Sequence, residues 1–169
     1  MSMRVVLQRV KEAQVTVDGE VSGRIGTGLL VFVGVGKEDT TADAEYLVSK
    51  ILALRVFPGA GDSAARMDRN VLDVDGGVLI VSQFTLYAST RRGRRPSFDA
   101  AAPPGTARVM YEYFVRVARE SGARVATGVF QASMAVSLTN DGPVTLVLDS
   151  AEKPAAGPAA SLTENAPAF

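Results

Sequence analysis

The sequence predicts an α+β domain of antiparallel β-sheets with two main helices. Apolar residues recur with a helical period around 44–52 and 110–118, whereas β-branched runs bounded by turn residues fill most of the remainder. With 169 residues, 47% of them apolar, the chain can bury roughly two-thirds of its unfolded surface without disulfides or metals.

The chain opens on β structure. Val5 to Val10, Val15 to Val17 and Val21 to Ile25 are rich in β-branched residues. Asp18-Gly19 is the pair a type I′ turn favours, because both central residues take positive φ, so an antiparallel hairpin is expected first. Leu29-Leu30-Val31-Phe32-Val33-Gly34-Val35 has no polar face, which suits a central strand covered on both sides. From Thr41 the period lengthens: Ala44, Leu47, Val48, Ile51 and Leu52 share one helical face, with Asp39, Thr40 or Thr41 available as the cap. A short strand, Arg55 to Phe57, stops at Pro58-Gly59 before a Gly/Ala/Asp-rich loop to about Asn70. Gly77 to Leu86 reads as a second strongly apolar strand whose last residues turn polar.

After a loop from Ala88 to Pro104, Met110, Tyr113, Phe114, Val117 and Ala118 define a second helix that Gly122 ends. Met134, Val136 and Leu138 alternate with smaller residues, Asn140-Asp141-Gly142-Pro143 reads as a turn, and Val144 to Leu148 as the return strand. From Ala151 to Phe169 large apolar side chains are scarce. Such a stretch cannot offset its ordering entropy, so 1–150 is expected to form one domain and 151–169 a flexible tail.

Composition then narrows the chemistry. The chain has no His, Cys or Trp. That excludes Ser-His-Asp and Cys-His nucleophile systems, thiolate and HExxH zinc sites and redox dithiols, and leaves hydroxyls, carboxylates, amines, main chain or the substrate itself. No metal site and no cofactor is expected. Met1-Ser2-Met3-Arg4 leads straight into a strand pattern and the longest apolar run is too short to span a bilayer, so no leader, no membrane partner and a cytoplasmic location are expected. With 18 basic and 18 acidic residues, any nucleic-acid contact must rest on a local cluster.

Three segments stand out. Ser82-Gln83-Phe84-Thr85 ends an apolar strand in hydroxyl and amide groups; they either satisfy backbone at a sheet end or face a cleft. Without a histidine to take its proton, the Ser82 or Thr85 hydroxyl is a poor nucleophile. Arg91, Arg92, Arg94 and Arg95 surround Gly93 in a loop that is either merely solvated or a phosphate-binding site. Asn140-Asp141-Gly142-Pro143 is explained by a hairpin turn, although an X-Pro bond there also admits the cis form. Asp68, Asp73 and Asp75 show no metal or acid/base spacing, and Gly34-x-Gly36 lacks the rest of a dinucleotide fingerprint.

In order and spacing, Met3-Arg4-Val5-Val6-Leu7-Gln8-Arg9-Val10, Gly28-Leu29-Leu30-Val31, Ser82-Gln83-Phe84-Thr85-Leu86, Arg95-Pro96-Ser97-Phe98 and Val136-Ser137-Leu138-Thr139-Asn140-Asp141-Gly142-Pro143-Val144-Thr145 resemble the D-aminoacyl-tRNA deacylase family. The resemblance runs from about Met3 to Asp149. It implies a barrel-like core and a homodimer with its active site at the subunit interface. The implied activity is an editing hydrolase that cleaves the ester of D-aminoacyl-tRNA, and of glycine misattached to tRNA for alanine. The implied partner is the tRNA 3′ end, with no DNA partner.

Carried over, Ser82, Gln83 and Thr85 are the catalytic group. Phe84, Phe130, Met134, Gly142 and Pro143 bind substrate, and Arg91, Arg92, Arg94 and Arg95 hold the tRNA. The Gly142-Pro143 peptide is implied to be cis and inserted into the partner's pocket, where its carbonyls reject an L side chain. Thr85 is implied either as nucleophile or as a positioning group beside a tRNA 2′-hydroxyl. The absence of a base favours the second role. Gln131 stands where the family usually has a small residue, Arg66-Met67-Asp68 where Lys-Met-Asn is commoner, and the tail has no family counterpart. The rival reading is a non-catalytic tRNA-binding module of the same fold.

Overall fold

The computed structural model describes residues 2–154. In chain order the elements are β1 (Arg4–Val17), β2 (Glu20–Ile25), β3 (Gly28–Gly34), α1 (Thr41–Ala53), β4 (Phe57–Pro58), β5 (Met67–Arg69), β6 (Gly77–Ser82), α2 (Pro104–Glu120), β7 (Arg124–Thr127) and β8 (Ala135–Asp149). The main sheet runs β2-β1-β3-β6-β7, with β8 on the other side of β1, and β4 and β5 form a separate pair.

The opening hairpin forms as the turn chemistry dictates, with Asp18 and Gly19 at φ 49° and 82°. The expected segments Val5 to Val10 and Val15 to Val17 are one continuous strand with an irregularity between Val10 and Glu12. That irregularity has a packing purpose. Before it, Val5 and Leu7 enter the core under the helices; after it, Ala13 and Val15 enter a second core on the opposite face. One extra residue reverses which parity points inward, so a single strand serves both cores.

β3 and β6 explain their unbroken apolar runs in the same way. Leu29 and Val31 face the helices with Val78 and Ile80, while Leu30 packs into the second core with Leu79 and Val81. In α1 the expected residues Ala44, Leu47, Val48, Ile51 and Leu52 are all buried, and the Asp43 carboxylate accepts from the Thr40 N–H at 2.8 Å across the helix start.

Several expectations are corrected. The sheet is mixed: β3, β6 and β7 run parallel, each joined to the next through a helix, and only the pairs made by β1 are antiparallel. The apolar strand stops at Ser82 rather than Leu86, because Gln83 departs from β geometry and Phe84–Tyr87 form a 3-10 turn. The short strand begins at Phe57, pairing with Arg69 inside the stretch read as loop. On α2 the buried face is Ala107, Tyr111, Phe114, Val115 and Ala118, with Met110, Tyr113 and Val117 at its margin.

The closing hairpin does not exist. Both halves of β8 pair antiparallel with β1, Val136 opposite Val15 and Val147 opposite Val6, and Asn140–Pro143 is an outward bulge rather than a reversal. Finally, Ser150–Glu152 form a 3-10 turn docked on α1, where Tyr46 Oη donates to the Glu152 carbonyl and Lys153 Nζ lies 3.7 Å from Asp43 Oδ1. The rest of the expected tail, 155–169, lies outside the described residues.

The sheet curls until β2 meets β7. A Cβ on Gly23 would sit 2.4 Å from the Thr127 carbonyl oxygen, so only glycine admits that approach and the nearly closed barrel it produces.

Candidate active site

Three parallel strands end on one side of the sheet, and the chain leaving each contributes to one cleft of about 770 Å³. Val35 and Lys37 follow β3, Ser82, Gln83 and Phe84 end β6, and Phe130, Gln131 and Met134 follow β7. This is the carboxyl edge of a parallel sheet, where strand ends release the chain into loops and ligands commonly bind. The first turn of α2 closes the far side through Pro103, Pro104 and Ala107.

The polar end of β6 is built by a change of backbone. Gln83 N–H still donates to the Val33 carbonyl at 2.8 Å, and the next residues enter the 3-10 turn. Leu86 N–H closes on the Gln83 carbonyl and Ala88 N–H on that of Thr85. The first N–H groups of the turn, Phe84 and Thr85, have no backbone acceptor among the described residues. Such paired donors suit a developing oxyanion. Thr85 is exposed, and its hydroxyl accepts from Gln83 Nε2.

The turn is held from behind. Arg4 Nη1 donates to the Leu86 carbonyl at 3.1 Å, and its guanidinium stacks 4.9 Å from the ring of buried Tyr87. The Tyr87 hydroxyl donates to the Ser2 carbonyl and lies 3.4 Å from Asp39 Oδ2. Burial, with Asp39 alongside, raises the Tyr87 hydroxyl well above the usual phenol range. Asp39 Oδ2 also accepts from Gly36 N–H at 2.6 Å and so shapes the loop that carries Lys37. Burial raises the Asp39 carboxyl above its ordinary 3.8 despite that bond.

The aromatic walls are braced similarly. Phe84 meets Phe98 edge-on at 4.9 Å, and Phe130 packs on Tyr111 with centroids 5.9 Å apart. Tyr111 Oη donates to the Ile80 carbonyl at 2.8 Å, and burial pushes its hydroxyl up to about 12. Thus the structure brings Ser82, Gln83, Phe84, Phe130 and Met134 into one cleft, with Thr85 at its edge.

Arg91, Arg92, Arg94 and Arg95 project from a loop whose base is tied by Ser89 and Ser97, beside the Phe84–Phe98 contact. Gly142 and Pro143 are exposed and do not line this cleft. Their peptide bond is cis, and Arg9, only 8% exposed, supports the bulge beneath them by donating to the Asp141 carbonyl at 2.8 Å and to the Val56 carbonyl.

Sequence reasoning singled out neither Arg108 nor Lys37, and gave no role to Tyr87 or to Arg9, which it met only inside the opening motif. Lone residues on a helix, a loop or a strand carry no local signal; only the folded chain shows what they face.

Against known proteins, the family model described as D-Tyr-tRNA(Tyr) deacylase matches residues 6–149. The D-aminoacyl-tRNA deacylase of Thermus aquaticus is 58% identical over 90% of this chain and 98% of its own, and that of Solibacter usitatus 55% identical over 89% and 98%. Among solved structures, one described as a c-Myc DNA unwinding element binding protein superposes with TM-score 0.80 at 40% identity, covering 90% of this chain and 99% of that one. A probable eukaryotic D-amino acid tRNA deacylase, at 20% identity and TM-score 0.74, covers 88% and 100% and shares the fold. With the family model matching residues 6–149 and relatives more than half identical over about nine-tenths of its length, the chain belongs to the D-Tyr-tRNA(Tyr) deacylase family.

Proposed function

We propose that the chain is an editing hydrolase that cleaves the ester between a D-amino acid, or misattached glycine, and the terminal adenosine of tRNA. Family membership supports the reaction class. The cleft at the carboxyl ends of β3, β6 and β7, lined by Ser82, Gln83 and Phe84, with the Phe84 and Thr85 N–H groups free of backbone acceptors among the described residues and no histidine in the chain, is the observation that supports the mechanism. In the proposed reaction water adds to the ester carbonyl, and the carbonyl oxygen gathers charge against the Phe84 and Thr85 N–H groups. The bond to the ribose oxygen then breaks, and that oxygen takes up the proton the attacking water gave up, leaving the free amino acid and the tRNA hydroxyl. Thr85 positions the ester or the water, and the tRNA 2′-hydroxyl assists the attack. Two main-chain donors of this kind supply several kcal/mol, more than an unactivated hydroxyl offers.

Selection against L residues is assigned to a second copy of the chain. Gly142 and Pro143 stand exposed, away from their own protomer's cleft, so their carbonyls reach a cleft only across an interface. The outer side of β8 has no strand partner among the described residues, and Val147 on it is 73% exposed. An uncovered apolar edge strand of this kind is a surface for self-association. The Arg91–Arg95 loop takes the tRNA phosphates.

The decisive experiment compares matched D-tyrosyl-tRNA and L-tyrosyl-tRNA. Rapid release of D-tyrosine with near-complete sparing of the L ester is expected. Equal rates on both would sink the selective mechanism, and tRNA binding with both esters intact would make the chain a binding module.

A further inference from the structure

We propose that Arg108 and Gln131 form a phosphate clamp on the rim of the cleft, gripping the phosphodiester that precedes the terminal nucleoside of tRNA. The inference rests on the reading of the cleft as the aminoacyl-tRNA site, and it adds a phosphate grip distinct from the Arg91–Arg95 loop.

Arg108 lies on the first turns of α2, one residue beyond cleft-lining Ala107, and is exposed. Its guanidinium stacks 4.8 Å from the centre of the Phe130 ring, and Nη2 donates to Gln131 Oε1 at 3.4 Å. No carboxylate lies within ion-pair range of Arg108 among the described residues. The stack holds the planar fork in place while its remaining N–H groups stay open.

Gln131 lines the cleft and sits at φ 64°, in the left-handed region that a non-glycine residue enters at a cost. Glycine would adopt that backbone without strain, so the glutamine side chain here is held in a costly conformation while it bonds Arg108. Its carboxamide oxygen is engaged by Arg108, which leaves the NH₂ as the free group. The free N–H groups of Arg108 and the Gln131 NH₂ thus lie together beside the cleft that Phe130 and Gln131 line, with one full positive charge between them, and the one carboxylate among the lining residues, Asp99, makes no ion pair with Arg108. A phosphodiester, two anionic oxygens that only accept, matches this set. An uncharged ribose or base edge would leave the charge unanswered.

The test measures deacylation by the full-length protein on D-tyrosyl-tRNA and on D-tyrosyl-adenosine, which carries the same ester but no phosphate. With Arg108→Gln, KM for the tRNA ester should rise about tenfold, the scale of a lost charge-assisted bond, and KM for the nucleoside ester should rise by a much smaller factor, since only the Phe130 stack is lost there. Arg108→Lys, which keeps the charge but not the fork, should fall between. Gln131→Gly should raise KM on tRNA by a larger factor than on the nucleoside ester without lowering Tm, since it relieves the backbone; a purely structural residue would lower Tm instead. Unchanged KM on tRNA, or an equal rise on both esters, overturns the clamp. A parent protein inactive on both esters overturns the functional reading, and the clamp with it.

Discussion

The Thr85 hydroxyl accepts from Gln83 Nε2 and its proton has no side-chain acceptor among the described residues, in a chain without the imidazole that usually activates such a hydroxyl. Thr85→Ala should therefore keep most deacylase activity, a loss well below the ~10²–10³-fold that follows removal of an oxyanion donor. A folded variant that binds tRNA and is inert would return the nucleophile role to Thr85. Asp39 offers a second test, through pH. Burial raises its carboxyl in the folded state, so its contribution to stability is full below 3.8 and is lost as pH climbs through the raised value. Asp39→Asn keeps an oxygen for the Gly36 N–H but cannot titrate. Its Tm relative to the parent should rise as pH increases from about 4 towards neutrality, as thermal melts across that range would show. A constant difference would mean that Asp39 titrates at its ordinary value.

Among the elements, the loop between Ser89 and Ser97 raises its four arginines from a tied base, each of them exposed. Replacing Arg91, Arg92, Arg94 and Arg95 with Gln should weaken tRNA binding and flatten the slope of log K against log salt by about 0.7–0.9 for each phosphate the variant no longer neutralises. A salt titration of binding checks this, and an unchanged slope would leave the loop merely solvated. How legible each element was depended on how local its cause is. The Asp18-Gly19 turn and the buried face of α1 follow from neighbouring residues, and both could be read directly from the sequence. Asn140–Pro143 has the chemistry of a reversal and is a bulge, because what decides is a distant partner: β1 is long enough to pair with residues on both sides of it. β7 escaped notice because Arg124–Thr127 is short and joins the sheet only through β6, and the parallel direction of that pair is set by the crossover through α2. The site followed the same pattern. Ser82 to Thr85 announced itself by ending an apolar run in polar groups, whereas Arg108 gained its meaning only from Phe130 and Gln131 in space.

For the molecule as a whole, the approach of β2 to β7 at Gly23 brings the curled sheet close to a barrel, and two cores depend on that curl. Gly23→Val should cost about 1–3 kcal/mol by overpacking, seen as a lower urea midpoint, with the cleft residues still in place. A neutral result would mean the seam has room that the backbone distances deny. Closure also sets the character of the cleft, because the chain leaving β7 must fold back tightly to bring Met134 against Gly128, where an added Cβ would lie 2.6 Å from the sulfur. In a protein with no thiol, that sulfur is the cleft's chemically soft point. A sulfoxide there would set a polar oxygen where the chain leaves no room for even one added carbon, so Met134→Leu should make deacylation less sensitive to peroxide pretreatment than the parent's, as paired rate measurements would show.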